Sequence, residues 1–139
     1  FQNWLNQVTS FAEQHKEDAD FSTDFDLLDQ GVQVLARYLA SFSAQLQEGG
    51  NVRLIPLNSN RFLDCFAEVV MGQLMLEQGL IAREKGREVD PGSADELFYK
   101  GKMETARFFC RNIMTNVFAR ETAMKTQDTS ALDIPEEVF

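Results

Sequence analysis

Apolar residues recur every three or four positions along most of this chain, which is the spacing of amphipathic helices. Over residues 1–16 the pattern consists of Trp4, Leu5, Val8, Phe11 and Ala12. It predicts a short N-terminal helix, which an acidic linker follows. Over residues 25–48 a longer seam consists of Leu28, Val32, Leu35, Leu39, Phe42 and Leu46. It predicts a second helix that is capped by Thr23 or Asp24 and ends at Gly49–Gly50.

The third predicted helix carries two apolar stripes. One consists of Phe62, Phe66, Val69, Leu76 and Leu80, and the other of Leu63, Val70, Leu74 and Ile81. The second stripe lies about 100° around the helix from the first. So wide an apolar arc predicts contact with two neighbouring helices. The spacing starts this helix at Asn58 or Ser59 and ends it before Gly86, while Pro56 predicts a preceding loop that crosses the bundle.

A fourth helix is predicted over residues 94–126, because Ser93 and Glu96 have the spacing of a capping box. Its main seam consists of Tyr99, Met103, Ala106, Cys110, Ile113 and Val117. Leu97, Gly101 and Phe108 lie on the other side of the helix. A helix that is apolar on two sides packs between two partners. These three residues are therefore the candidate docking surface, with the first helix, the tail or another domain as the second partner.

The four patterns predict an all-α fold. Neither a strand pair nor a repeat interrupts them, and 139 residues are the length of one domain. We expect a single helical domain over residues 1–139, built as an up-and-down bundle of three long helices plus a shorter N-terminal helix.

Charge narrows the range of partners. The chain has 13 Lys and Arg against 22 Asp and Glu, a formal net charge of −9. Nucleic acids and anionic membranes carry the same sign, so neither is an expected partner. No uninterrupted apolar run approaches the ~20 residues that span a bilayer. The two cysteines, Cys65 and Cys110, lie in apolar seams and are expected to be buried free thiols of a reducing, cytoplasmic compartment.

Candidate chemistry is sparse. His15 is the one histidine, and we expect it to be exposed and idle. The sequence lacks the spacings typical of zinc or calcium sites, and no catalytic, cofactor-binding or metal-binding residue is assigned. A basic flank of Lys100, Arg107 and Arg111 on the fourth helix could hold a phosphate-bearing ligand such as a coenzyme. Ion pairing with Glu104 and with the acidic second segment is the favoured interpretation.

Two runs carry a family resemblance. The stretch from Tyr99 to Phe109 reads YKGKMETARFF, and the chain closes with SALDIPEEVF from Ser130 to Phe139. Both resemble the final helix and closing run of the helical domain appended to the C-terminus of certain bacterial acyl-CoA dehydrogenases. The resemblance implies that Phe139 ends the parent protein, and Phe1 in place of Met fits an excised piece.

The resemblance implies a parent flavoprotein that removes an α-proton from an acyl-CoA with a glutamate and passes hydride to FAD. Those groups would belong to the dehydrogenase body, and none of them is carried over to this chain. The domain itself would be non-catalytic and would pack on the body and its oligomer. The alternative is a free-standing acidic module that uses the same surface to bind another protein.

Overall fold

The computed structural model describes residues 1–138 and shows a helical fold without strands in that range. The helices are α1 (Gln2–Gln14), α2 (Ser22–Gln45), α3 (Leu54–Gly86), α4 (Ala94–Phe108) and α5 (Asn116–Lys125). A π-helical turn, Phe109–Ile113, joins the last two, and 3₁₀ turns at Ser130–Leu132 and Glu136–Val138 follow in the tail. The predicted all-α class and helical bundle are confirmed. Phe139, where the closing run ends, lies outside the described residues.

The core lies between α2, α3 and the rod formed by α4 and α5. Its largest fully buried side chains include Phe21, Phe25, Leu28, Leu35 and Tyr38 of the α2 region and Leu76 of α3. The Tyr38 hydroxyl donates to the Arg120 carbonyl at 2.9 Å, which ties α2 to α5. Small residues let the antiparallel pair α3 and α4 approach closely: a Cβ on Gly79 would lie 3.3 Å from that of Ala106. This close pairing sets how the outer surfaces of the two helices meet.

The start of α2 differs from the prediction. The helix begins at Ser22, and neither Thr23 nor Asp24 caps it. Asp18 holds the turn that leads into the helix, because its Oδ1 accepts from the backbone N–H groups of Asp20 at 2.9 Å and Phe21 at 3.1 Å. The carboxylate of Asp24 is buried and bonds to Arg111 in the π-helical turn. The other end of α2 also comes early, at Gln45, so Leu46 leaves the seam and is exposed.

The start of α3 is also earlier than predicted, because the segment around Pro56 is helical and not a loop. Proline is tolerated in a first helical turn, where its missing N–H has no intrahelical acceptor. Asn58 is therefore not a cap: its side chain is buried inside the helix and donates to the Leu54 carbonyl at 2.9 Å.

The predicted fourth helix is interrupted. Its start is confirmed, since the Ser93 hydroxyl accepts from the Glu96 N–H at 3.1 Å, although Glu96 reaches back to the N–H of Gly92 and not to that of Ser93. At the π-helical turn the Met114 N–H donates to the Phe109 carbonyl, five residues back, at 3.0 Å. One extra residue per turn rotates the register while Cys110 and Val117 both stay buried.

The carboxylates of Glu121 and Asp18 tie separate parts of the bundle together through ion pairs. Glu121 of α5 pairs with Arg37 of α2 and, at 2.9 Å, with Lys125. The bond from Arg37 is the main cause that lowers the pKa of Glu121 from its ordinary 4.5, against the opposing effect of burial. Burial alone would raise the pKa of Asp18, but hydrogen bonds from Arg83 and from two backbone N–H groups bring it below 3.8.

Acid should therefore destabilise the fold through these groups. A carboxyl group whose pKa is lower in the folded than in the unfolded state stabilises the fold. Its contribution is complete at pH values above the unfolded-state pKa and is lost as the pH falls through the folded-state pKa. We expect Glu121→Gln to lower the free energy of unfolding by about 1 kcal/mol at pH 7. This is the magnitude of a surface ion pair, since Arg37 is half exposed. The difference in the free energy of unfolding between this variant and the native chain, measured by urea unfolding, should become smaller towards pH 3.

The control is Glu84→Gln, at an exposed position of α3, which should leave the pH profile unchanged. A Glu121→Gln variant whose stability varies with pH as steeply as that of the native chain would contradict the assignment.

Candidate docking surface

The three predicted docking residues lie on one exposed stripe of α4. Leu97 is 64% exposed and Phe108 59%, and Gly101 is open to solvent between them. Leu97 and Gly101 line a shallow cleft of about 320 Å³ together with Phe98, Lys102 and Thr105. Phe108 is on the same stripe, two turns beyond Gly101 and outside this cleft. Of the three second partners considered for this side, neither the first helix nor the tail covers it within residues 1–138, which leaves another domain.

The second apolar stripe of α3 is exposed as well. The predicted contact of α3 with two neighbouring helices is confirmed, since α2 and α4 both pack along it. Its second stripe is not what they cover: Leu63, Leu74 and Ile81 are exposed, Ile81 to 60%. The reason lies in where the neighbours pack: α2 and α4 both lie on the side of α3 that carries Val69, Gly72, Leu76 and Gly79. The outer stripe is consequently left without a cover.

The exposed stripes of α3 and α4 meet along the antiparallel pair. Ile81 and Gln78 of α3 line a second, mostly apolar cleft of about 150 Å³ with Phe98 and Lys102 of α4. The Lys102 ammonium lies 3.4 Å from Gln78 Oε1 and 5.7 Å from the centre of the Phe98 ring. The two stripes thus form one surface, the outer face, which consists of Met71, Leu74, Gln78, Ile81, Leu97, Phe98, Gly101, Lys102, Thr105 and Phe108.

Sequence reasoning missed the α3 half of this face. The signal was present, since Leu74 and Ile81 were recognised as an apolar stripe. Periodicity shows that a stripe needs a cover, but it cannot show whether the cover belongs to the same chain.

The two clefts of the outer face have a cation in their lining. Neither cleft is lined by a carboxylate, although both include Lys102. Glu68 is drawn to Arg120 at 2.7 Å, and Glu104 pairs with Arg107, which also contacts Asp20. On a chain of net charge −9 this leaves an apolar face with a cation at its centre.

The basic flank of α4 is paired, which confirms the ion-pair interpretation. Arg111 donates twice to the buried Asp24, at 2.7 and 2.9 Å, and Lys100 lies 2.8 Å from Glu96. Arg107 pairs with Glu104 and lies 3.4 Å from Asp20. With each cation beside a carboxylate, this flank does not favour a phosphate-bearing ligand.

His15 serves in packing and is not idle. Its ring stacks on Phe25 at 4.9 Å between centroids, and Nδ1 lies 2.9 Å from the Phe11 carbonyl oxygen. The expectation that it is exposed is wrong, because it is half-buried. Among residues 1–138 no group of three or more His, Cys, Asp or Glu side chains is arranged to hold a metal ion.

Both cysteines are buried free thiols, as predicted. Burial is the main cause that raises the pKa of Cys65 to about 11 and that of Cys110 to about 12. We expect neither to react with an aromatic disulfide reagent at pH 8 in the folded chain, because the thiolate is scarce and inaccessible. Both should react in urea. Rapid reaction of either thiol in the folded chain would contradict this assignment, and an Ala40→Cys variant, exposed on α2, is the positive control.

The chain has no uninterrupted apolar run of the ~20 residues that span a bilayer. By length and composition alone, however, α3 is long and apolar enough to cross a membrane. Its most apolar window has a mean hydropathy of 1.2, and 33% of that window is buried in the bundle. A core helix of a bundle passes the same test, and α3 is such a helix because α2 and α4 pack along it. Its outer stripe adds the remaining apolar character.

Comparison with known proteins gives consistent matches. Residues 4–135 match the family described as acetyl-CoA dehydrogenase C-terminal like. The chain is 36% and 33% identical to two butyryl-CoA dehydrogenases of Syntrophomonas wolfei, over 98% and 100% of its length. It is 24% identical, over 96% of its length, to a broad-specificity linear acyl-CoA dehydrogenase of Mycobacterium tuberculosis. The chain spans 22% of the length of each of these relatives.

Proposed function

Since this chain belongs to the acetyl-CoA dehydrogenase C-terminal-like family, we propose that it is the helical C-terminal domain of an FAD-dependent acyl-CoA dehydrogenase. The family match, which extends over residues 4–135, is the observation that carries the proposal. The parent enzyme would remove hydrogen from the α and β carbons of an acyl-CoA thioester. Relatives named for butyryl-CoA and for linear acyl-CoA favour an unbranched acyl chain.

Within the parent, the domain is proposed to be non-catalytic. The clefts on the outer face are shallow. Pockets that bury a cofactor or drug-sized ligand measure about 300–1,000 Å³; one cleft, of about 150 Å³, is smaller than this, and the other, of about 320 Å³, is at the lower limit. Their lining offers one ammonium and no carboxylate. These residues do not fit a flavin or a catalytic base, so both groups are assigned to the dehydrogenase part. The buried free thiols support a cytoplasmic location.

The proposal is tested on the whole reading frame that contains this chain. We expect the full-length product to show flavin absorbance and to lose it when butyryl-CoA is added without air. A 139-residue product that itself binds flavin would overturn the non-catalytic role. A reading frame without a dehydrogenase part would overturn the proposal and favour the free-standing interaction module.

A further inference from the structure

Exposed apolar side chains are concentrated on the outer face. Seven of the twelve large apolar side chains that are exposed in residues 1–138 lie on α3 or α4, and the others lie at the chain ends, in the tail or between α2 and α3. Six of the seven belong to the outer face, and the seventh, Leu63, continues its α3 stripe. Contiguous apolar surface of this kind marks an interaction site.

We propose that the entire outer face, and not only its α4 edge, docks on the dehydrogenase part of the same polypeptide. This inference rests on the proposed function. The chain spans 22% of its relatives' length, so most of such a polypeptide lies outside this domain and can supply the cover. The docked surface is apolar and carries at least one carboxylate, which meets Lys102.

The charge pattern favours this occupant over a second copy of the domain. Lys102 is the charged residue shared by the two clefts, and no carboxylate lines either of them. Two outer faces pressed together would bring two ammonium groups into an apolar contact without a counter-charge, which is costly. A different surface that carries an acid removes this cost and also fixes the register of docking.

Thiol labelling of the full-length protein tests the inference. Gln78→Cys and Thr105→Cys place small thiols on the α3 and α4 halves of the outer face, and Ala40→Cys is a matched exposed control on α2. Maleimide labelling is followed by mass spectrometry of the peptide that carries each position. Cys65 and Cys110 are buried and add no background.

We expect labelling at positions 78 and 105 to be at least about tenfold slower than at position 40 in the folded protein, and equally fast in urea. Equal rates at all three positions in a flavin-bearing protein would overturn the docking inference and leave the proposed function intact. Protection at position 105 alone would restrict docking to the α4 edge and overturn the larger face. Protection that disappears when an oligomer dissociates would assign the cover to another subunit and overturn the inference as stated.

Charge reversal tests the carboxylate on the docked surface. Lys102→Glu should speed labelling at position 105 in the full-length Thr105→Cys protein, because like charges then meet across the contact. Arg87→Glu, an exposed change outside the outer face, should leave that rate unchanged. An unchanged rate with Lys102→Glu would overturn the assignment of a carboxylate opposite Lys102.

Discussion

Replacing Arg111 with Met is expected to lower the free energy of unfolding by about 2–3 kcal/mol. The cause is Asp24, whose carboxylate is fully buried and receives two hydrogen bonds from the Arg111 guanidinium. Without Arg111 the charge has lost its partner and is poorly reached by water. The expected loss is below that of a fully buried pair because Arg111 is itself 46% exposed, so its removal opens a path for water.

A double-mutant cycle isolates this interaction. Asp24→Asn in the Arg111→Met background should recover part of the lost stability, because it removes the uncompensated charge. Lys100→Met is the matched control on the same flank, where the pair of the exposed Lys100 with Glu96 should contribute less than about 1 kcal/mol. Urea unfolding at pH 7 measures the native chain, the two single variants Asp24→Asn and Arg111→Met, the double variant and the Lys100→Met control. Equal losses for Arg111→Met and Lys100→Met would contradict the role assigned to Asp24.

The role of Asp24 could not be predicted from local sequence patterns. Acidic residues next to a helical seam are typical N-caps, so the local pattern offers Thr23 or Asp24 as the cap of α2. Its actual partner, Arg111, is 87 positions away along the chain. The prediction that Ser93 caps α4 is confirmed, since the donor and the acceptor of that cap lie within one turn.

Periodicity predicted the helices but not which of their apolar stripes are buried by neighbouring helices. The seams of α2 and α3 are buried at Leu35 and Leu76 as the pattern requires. The second stripe of α3 has the same spacing, yet Leu63, Leu74 and Ile81 are exposed. Periodicity cannot distinguish the two stripes, because it depends only on positions within one helix. The α4 edge is different, because its apolar residues lie opposite a complete seam and therefore predict a second partner.

Phe21→Ala is expected to destabilise the fold by about 3–5 kcal/mol, the loss typical of a fully buried phenylalanine. The ring lies where three helices meet. It precedes α2, its Cζ would be 2.9 Å from a Cβ on Gly79 of α3, and the Arg107 guanidinium of α4 lies 5.1 Å from its centre. A cavity here cannot close by the movement of one helix alone. Urea unfolding of the 139-residue chain measures the loss.

Phe98→Ala is the matched control, because this ring also has a cation beside it but is 58% exposed. In the 139-residue chain it should cost less than about 1 kcal/mol, since little apolar area returns to water. In the full-length protein the same change should cost more, because docking would bury the ring. The sequence has twelve phenylalanines. Comparing Phe21→Ala with Phe98→Ala distinguishes a phenylalanine of the core from one of the outer face. Similar losses for Phe21→Ala and Phe98→Ala in the 139-residue chain would contradict the division between core and outer face.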